Sequence, residues 1–467
     1  MAYISLNDSP VLTDDFDIYT SFVENIVEDI RHSQAPKTIA VTGYWGSGKT
    51  SVLAQVYSSL LGESPSIFSN TADSNKNGIN PNYHGVWFEA WRYQNEPQPI
   101  IALMHTMRQS FSQKRQLFDQ VGKMLHVSTI AGLSIFDGAI KTLSAGSISG
   151  LDKIQSVGEK YEKNNLLSQL STDQLNNALS AAIDHMLTDK VKIKNEDRKC
   201  IIFIDDLDRC DARTAKKLLE GIKVHLNLEN CIFVIAIDPE QLESSFKLEH
   251  AQLRNTGNIQ DESCHHATEY LEKLCQDAHR LPIANQKNIA DFVAKNLNKI
   301  FTNEYQKYAV IIAAIKFELE RQNYFPSNPR RLKMICNRLA AFIRKTIDSV
   351  QAKEEYHAQS LLFLASTYVS YREVYEMISV SADSINDLYK LAKSGKSDVS
   401  ALKHLTTMST DVQTKFVHPN KISVFRCASL IFDMEKNGKL PVWGDYLHEL
   451  IQLYNTPIKP DERGHAE

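Results

Sequence analysis

The sequence predicts an α/β fold: a mostly parallel sheet, a large helical insertion, and a helical C-terminal region. Three observations predict it. A β-rich run at 37–42 leads into a glycine-rich loop and then a helical pattern. Two continuous apolar runs, 200–204 and 231–237, each end at an aspartate, with a helical pattern at 211–227 between them. Residues 99–190 carry almost no strand signal. Strands alternating with helices favour parallel pairing with helices on both faces, and continuous apolar runs suit strands buried on both sides.

The elements follow in order. Residues 16–31 place Phe16, Tyr19, Phe22, Ile26 and Ile30 on one helical face with acids between them. The strand at 37–42, the loop at 43–50 and a helix at 51–61 come next, and a Ser- and Asn-rich loop spans 64–81. A second strand is expected at 85–89, and helices near 99–125, 130–147, 151–168 and 172–190. Residues 248–267 read as a polar loop; from 268 onward the chain reads as helices, interrupted at Leu281-Pro282 and at 326–329. Runs at 361–365 and 424–432 look like buried helix faces, and 393–398 like a loop. The expected segments are 1–95, 96–195, 196–282, 283–347 and 348–467.

Bulk properties narrow the function classes. The 467-residue chain has a net charge of −4, which by itself calls for no nucleic-acid partner. Seven cysteines are scattered without a CxxC pair, and the N-terminal stretch is polar and acidic, so reduced thiols and a cytoplasmic location are expected. No stretch is apolar enough for a spanning helix; the nearest, 127–151, contains Asp137 and Lys141, so integral membrane association is not expected.

Gly43-Tyr-Trp-Gly-Ser-Gly-Lys-Thr50 fits GxxxxGK followed by Ser or Thr, between a strand and a helix. Glycines let successive backbone N–H groups cradle phosphate oxygens, and the helix N-terminus adds its positive end. The expected nucleotide-binding residues are Gly43, Trp45, Gly46, Ser47, Gly48, Lys49, Thr50 and Ser51. Lys49 is expected to reach the β- and γ-phosphates of ATP, and Thr50 to place its hydroxyl on Mg²⁺. The partner acids stand at the end of the strand at 201–204. Asp205 is placed to hold Mg²⁺, and Asp206 to orient the attacking water. Three aspartates in four residues repel one another unless a cation sits among them.

Other positions carry two readings each. Arg209 suits an ion pair with Asp208 or Asp211, or an arginine finger acting across a subunit interface. Asp238, at the end of the next strand, suits a γ-phosphate contact or an N-cap for the helix after it. Glu89 suits a contact to metal-bound water or an ion pair with Arg92. The absence of an NKxD motif favours ATP over GTP.

The combination of GYWGSGKT at 43–50, VWFEAWRY at 86–93 and IIFIDDLDRC at 201–210 resembles the KAP family of P-loop NTPases. FVIAIDPEQL at 233–242, YLEKLCQDAHRLP at 270–282 and NPRRLKMICNRL at 328–339 extend the resemblance over roughly 14–345. It implies an additional-strand ATPase fold with a helical insertion between the two Walker motifs. It also implies that Arg330 or Arg331 acts as a sensor arginine in a helical lid at 283–347. Many members carry transmembrane helices in the insertion, from which this polar segment departs. Bacterial members are often linked to defence against phage or plasmids, with a partner or an effector domain. No nuclease, deaminase or protease motif accompanies the loop here.

Arg321, Arg330, Arg331, Lys333, Arg338, Arg344 and Lys345 form a basic stretch without an acid between 321 and 345. It reads as a nucleotide sensor, a nucleic-acid patch or a solvated face. Cys264, His265 and His266 with Cys275 and His279 are a weak zinc candidate, the last two being one turn apart if helical. Trp87, Phe88, Trp91 and Tyr93 read as packing residues rather than a base-stacking platform. The expected function is MgATP hydrolysis driving a switch or homo-oligomeric assembly on a separate effector protein. A nucleic-acid-dependent ATPase and a scaffold with little turnover are the alternatives.

Overall fold

The computed structural model describes residues 5–68, 82–120, 180, 183, 198–225, 228–244, 275–302, 305–321, 325–347, 354–394 and 428–455. The chain divides into two compact units. One comprises Pro10–Asp14 and Tyr19–Pro282; the other comprises the described residues of Met1–Ser9, Asp15–Ile18 and Ile283–Glu467.

The first unit is built on a five-stranded sheet: β1 (Lys37–Thr42), β2 (Tyr83–Glu89), β3 (Lys199–Asp205), β4 (Cys231–Ile237) and β5 (Asp277–Arg280). The order is β2-β3-β4-β1-β5, and every pairing is parallel. An additional strand, β4, therefore lies between the strand that enters the glycine loop and the strand that ends in the acids. Every residue of β3 and β4 is buried, which explains their unbroken apolar sequences. Because all five strands run the same way, the loops after β1, β2, β3 and β4 emerge at one sheet edge.

Helices cover both faces: α1 (Thr20–His32), α2 (Lys49–Leu61), α3 (Pro99–Gln120) and α4 (Ala212–His225). On one face Val86, Phe88, Ile202, Ile204, Phe233 and Ile235 form a buried cluster with Leu103, Met104 and Met107 of α3 and Leu218, Leu219 and Ile222 of α4. Burial of each large apolar side chain contributes about 1.5–3 kcal/mol. On the other face Tyr57 of α2 packs against Trp87 and Phe203, with ring centroids 6.0 and 5.2 Å apart. Gly85 permits that approach, since a Cβ there would lie 2.2 Å from Leu61 Cδ1 and 2.7 Å from the Tyr57 ring.

Two expectations are corrected. The first helix starts at Thr20, so Phe16 is not on it; Phe16 instead stacks on Phe292 at 4.1 Å in the second unit. Residues 277–280, expected to be helical, form β5, the edge strand beside β1. Of the predicted insertion, α3 is seen; the helices expected at 130–147 and 151–168, most of 172–190, and the loops at 69–81 and 248–267 lie outside the described residues.

The second unit is helical: α5 (Gln286–Ile300), α6 (Tyr305–Arg321), α7 (Pro329–Thr346), α8 (Glu354–Ser370), α9 (Arg372–Val380), α10 (Ser384–Ser394), α11 (Ala428–Lys436) and α12 (Leu440–Asn455). Asn285 and Asn288 form a reciprocal capping box at the start of α5. Asn328 caps α7, with Pro329 in the first turn. The run at 361–365 is buried in α8, and Leu430 and Ile431 are buried in α11. Among the described residues no helix is long and apolar enough to cross a membrane.

One buried group gives this unit a pH dependence. His357 lies between α7 and α12, its Nε2 3.3 Å from Thr346 Oγ1 and its Nδ1 2.8 Å from the Tyr446 hydroxyl. The Thr346 hydroxyl already donates to Phe342 O, which assigns the proton to Nε2 and leaves Nδ1 to accept from Tyr446. Burial pushes His357 down to about 4, below its ordinary 6.5. A group with a depressed basicity in the fold stabilises it fully above the unfolded value and loses that contribution as pH falls toward the folded one. The expected result is a loss of stability between about pH 6.5 and 4 that His357→Gln flattens, read by thermal melts across that range. An unchanged slope in the variant would contradict the assignment.

Candidate functional site

The glycine loop is tied to the sheet before it turns. Gly43 N–H donates to Ile237 O at 3.1 Å, and Ser47 N–H to Tyr44 O at 3.1 Å. Gly46 and Gly48 have φ of 79° and 97°, a region that side chains disfavour. A Cβ on Gly43 would lie 2.7 Å from Ser47 Oγ, so a side chain there would require the Ser47 hydroxyl to turn away. Gly48 offers no side-chain cap to α2, so the first N–H groups of that helix remain for a ligand. The Ser47 hydroxyl is buried and finds no hydrogen-bond partner among the described residues. An open helix N-terminus, glycine-only backbone and an orphaned hydroxyl together suit a phosphate.

The acids at the end of β3 stand in different surroundings. Asp205, 3% exposed, accepts a hydrogen bond from the Thr50 hydroxyl. Burial, reinforced by the neighbouring Asp206 charge, pushes its carboxyl up to about 7, against the pull of Thr50. Asp206 has φ 57°, one of two non-glycine residues in the left-handed region among those described. Such a conformation costs about 1–3 kcal/mol and concentrates at functional sites. A short 3-10 turn, Leu207–Arg209, follows and buries Leu207 and Asp208.

That turn sets the ion pairs. Asp208 Oδ2 forms an ion pair with Lys49 Nζ at 2.9 Å, and Lys49 donates hydrogen bonds to Gly43 O at 2.9 Å and Tyr44 O at 3.3 Å. Arg209 Nε lies 2.9 Å from Asp206 Oδ1. The partner of Arg209 is thus neither Asp208 nor Asp211, the two the sequence offered. Glu89 stands in register with Asp205 on β2 and pairs with Arg92 at 2.8 Å. Burial raises the Glu89 carboxyl, Arg92 opposes that, and the Asp206 charge adds to it.

The remaining candidates fall as follows. Asp238 Oδ1 accepts from Glu240 N–H at 3.2 Å and Gln241 N–H at 3.3 Å, the N-cap arrangement. Ser51 Oγ accepts from Val11 N–H at 3.1 Å. Trp45, 52% exposed, lies at the loop surface, and Trp91 is also exposed, whereas Trp87 and Phe88 are buried. Arg330, in the helical unit, pairs through Nε with Asp8, and Arg331 is exposed. Cys275 precedes β5 and His279 lies within it, so the two are not a helical turn apart; His279 Nε2 meets Asp29 Oδ2 at 3.0 Å. Cys264, His265 and His266 lie outside the described residues.

Tyr19 is a site residue that periodicity alone classed as core. Its hydroxyl donates to Ser47 O at 3.1 Å, and Asp14 accepts its backbone N–H at 2.6 Å. Burial holds the phenol proton on, and the hydroxyl anchors a carbonyl of the loop. Tyr19→Phe removes a bond of about 0.5–1.5 kcal/mol and is expected to weaken binding of a phosphate ligand in the loop about 2- to 10-fold by titration calorimetry. Unchanged affinity would mean that the loop holds its shape without Tyr19.

A family model described as the KAP family P-loop domain matches residues 19–346. No curated protein matches the chain.

Proposed function

As the chain belongs to the KAP family of P-loop NTPases, we propose that it binds MgATP at residues 43–50 and hydrolyses it, acting as a nucleotide-driven switch or assembly on a separate effector protein. The observation that carries the reading is the meeting of two chain segments at one sheet edge. Thr50 bonds to Asp205 and Lys49 pairs with Asp208, while Asp206 stands beside them in a strained conformation. This arrangement places a cation, a hydroxyl and three carboxylates around a phosphate-shaped backbone.

Mg²⁺ fits the oxygen donors Thr50 and Asp205, since it uses few protein ligands beside phosphates and water. Bound there, it would neutralise charge on the β- and γ-phosphates. The chain's own residues do the rest. The loop amides and Lys49 hold the polyphosphate. Asp206 accepts a hydrogen bond from water and aligns it with the γ-phosphorus. An oxygen–phosphorus bond forms as the bond to the β-phosphate oxygen breaks, giving ADP and inorganic phosphate. Arg209 holds the Asp206 carboxylate from the same chain, which favours a positioning role in cis over a finger in trans. The capping bonds of Asp238 leave it a supporting role at most. Arg330, which pairs with Asp8, is the sensor candidate that the family resemblance offers.

The basic stretch gives the nucleic-acid alternative little support. Arg321 pairs with Glu318 and Glu355, Arg330 with Asp8, and Lys333 and Lys345 donate to the carbonyls of Ser9 and Tyr454. Arg338 lies 3.6 Å from the Tyr368 ring centroid and Arg344 4.9 Å from that of Phe301. Six of the seven basic groups are thus spent inside their own unit. A role in antiphage defence rests on the family alone. The test is light scattering of the full chain with and without MgATP, alongside turnover. A nucleotide-dependent change in mass supports the assembly; turnover at constant mass supports a monomeric switch.

A further inference from the structure

Lys49 is the one cation within residues 43–50. Its ammonium donates to Gly43 O at 2.9 Å and Tyr44 O at 3.3 Å, and Asp208 Oδ2 faces it as an ion pair at 2.9 Å. The two carbonyls belong to the loop itself and stay with Lys49 wherever the loop goes. The carboxylate comes from the turn after β3. The side chains of Lys49 and Asp208 are 8% and 4% exposed, so water and salt screen their attraction poorly. Neither the Thr50–Asp205 pair nor the water-directing role of Asp206 makes use of Asp208. Yet the left-handed backbone at Asp206 and the buried turn after it deliver this third acid to Lys49.

We propose that Asp208 is a positioning residue for nucleotide binding: its carboxylate holds the place on Lys49 that β- and γ-phosphate oxygens take, so a polyphosphate binds by exchange against it. The proposal rests on the MgATP reading above. A phosphate that recruits Lys49 must release Asp208, and the released carboxylate remains beside Asp205 and Asp206. Like charges in a buried turn resist that state. The exchange therefore lowers affinity for the polyphosphate and draws Lys49 back once phosphate departs. A nucleotide without β- and γ-phosphates does not enter the exchange.

The experiment is calorimetric binding of ATP and AMP to the full chain, with Mg²⁺, for wild type, Asp208→Asn, Asp208→Ser and Asp208→Glu. The neutral variants are expected to bind ATP about tenfold more tightly, about 1.4 kcal/mol, with AMP affinity unchanged. Asp208→Glu, which keeps the charge, is expected to return ATP affinity toward wild type. If a folded neutral variant binds ATP no more tightly than wild type, or gains equally for AMP, the exchange is overturned and Asp208 is structural. Asp208→Ser decides the matter should Asp208→Asn fail to fold, and Asp208→Glu is then compared with it alone. If wild type itself binds no ATP, the nucleotide reading fails and takes the proposal with it.

Discussion

Asp206→Asn is expected to slow MgATP hydrolysis by about 10²–10⁴-fold, the range for loss of a positioned general base. Nucleotide affinity is expected to stay within about threefold, because Asp206 contributes no donor to the phosphates. The distinction follows from the division of labour after β3. Asp205 is bound to Thr50 and Asp208 to Lys49, so both are committed to the loop. Asp206 alone of the three is turned by a left-handed backbone toward an exposed partner, Arg209. Asparagine accepts the same hydrogen bond but cannot polarise water as a carboxylate does. Loss of binding in the variant, measured by calorimetry, would show that Asp206 holds the nucleotide or its metal instead.

Lys49→Met is expected to cost both binding and stability. The lost charge-assisted bond to phosphate predicts ATP binding about 10- to 100-fold weaker. The stability loss has a different origin. Asp208 is left as a buried acid without its cation, and breaking a buried pair from one side costs about 3–5 kcal/mol. Denaturant titration of the nucleotide-free protein reads that loss. The double variant Lys49→Met with Asp208→Leu removes both charges and is expected to recover most of the stability but none of the binding. If Lys49→Met unfolds at the wild-type denaturant concentration, the pair contributes little to the fold.

The sequence and the structure agree where chemistry and patterning coincide. Glycine at 46 and 48 is demanded by positive φ, and the glycine motif announced it. The runs ending at Asp205 and Asp238 are buried on both faces, which is why they read as unbroken apolar strands. Strand β5 escaped for the converse reason. Asp277–Arg280 is a polar edge strand held by backbone pairing to β1, and no apolar pattern marks it.

The site shows the same limit at finer scale. Arg209 was matched to the acids nearest in sequence, but the reversal at Asp206 brings positions 206 and 209 together and sends Asp208 inward to Lys49. Nothing in a one-dimensional pattern records a left-handed aspartate. Tyr19 carried a hydrophobic signal only, and its hydroxyl partner, Ser47 O, is 28 residues away. The Asp8–Arg330 pair spans most of the chain and had no local signature. Asp238 was legible as a cap because Pro follows it at the first helical position.

The most direct test is single-turnover release of γ-phosphate from MgATP by wild type and Asp206→Asn, at enzyme concentrations that saturate the nucleotide. Phosphate release by wild type and its loss by two or more orders of magnitude in a variant that still binds ATP are the predicted result. Equal single-turnover rates in the two proteins would contradict it, leaving a chain that holds nucleotide without using the acids after β3 to cleave it.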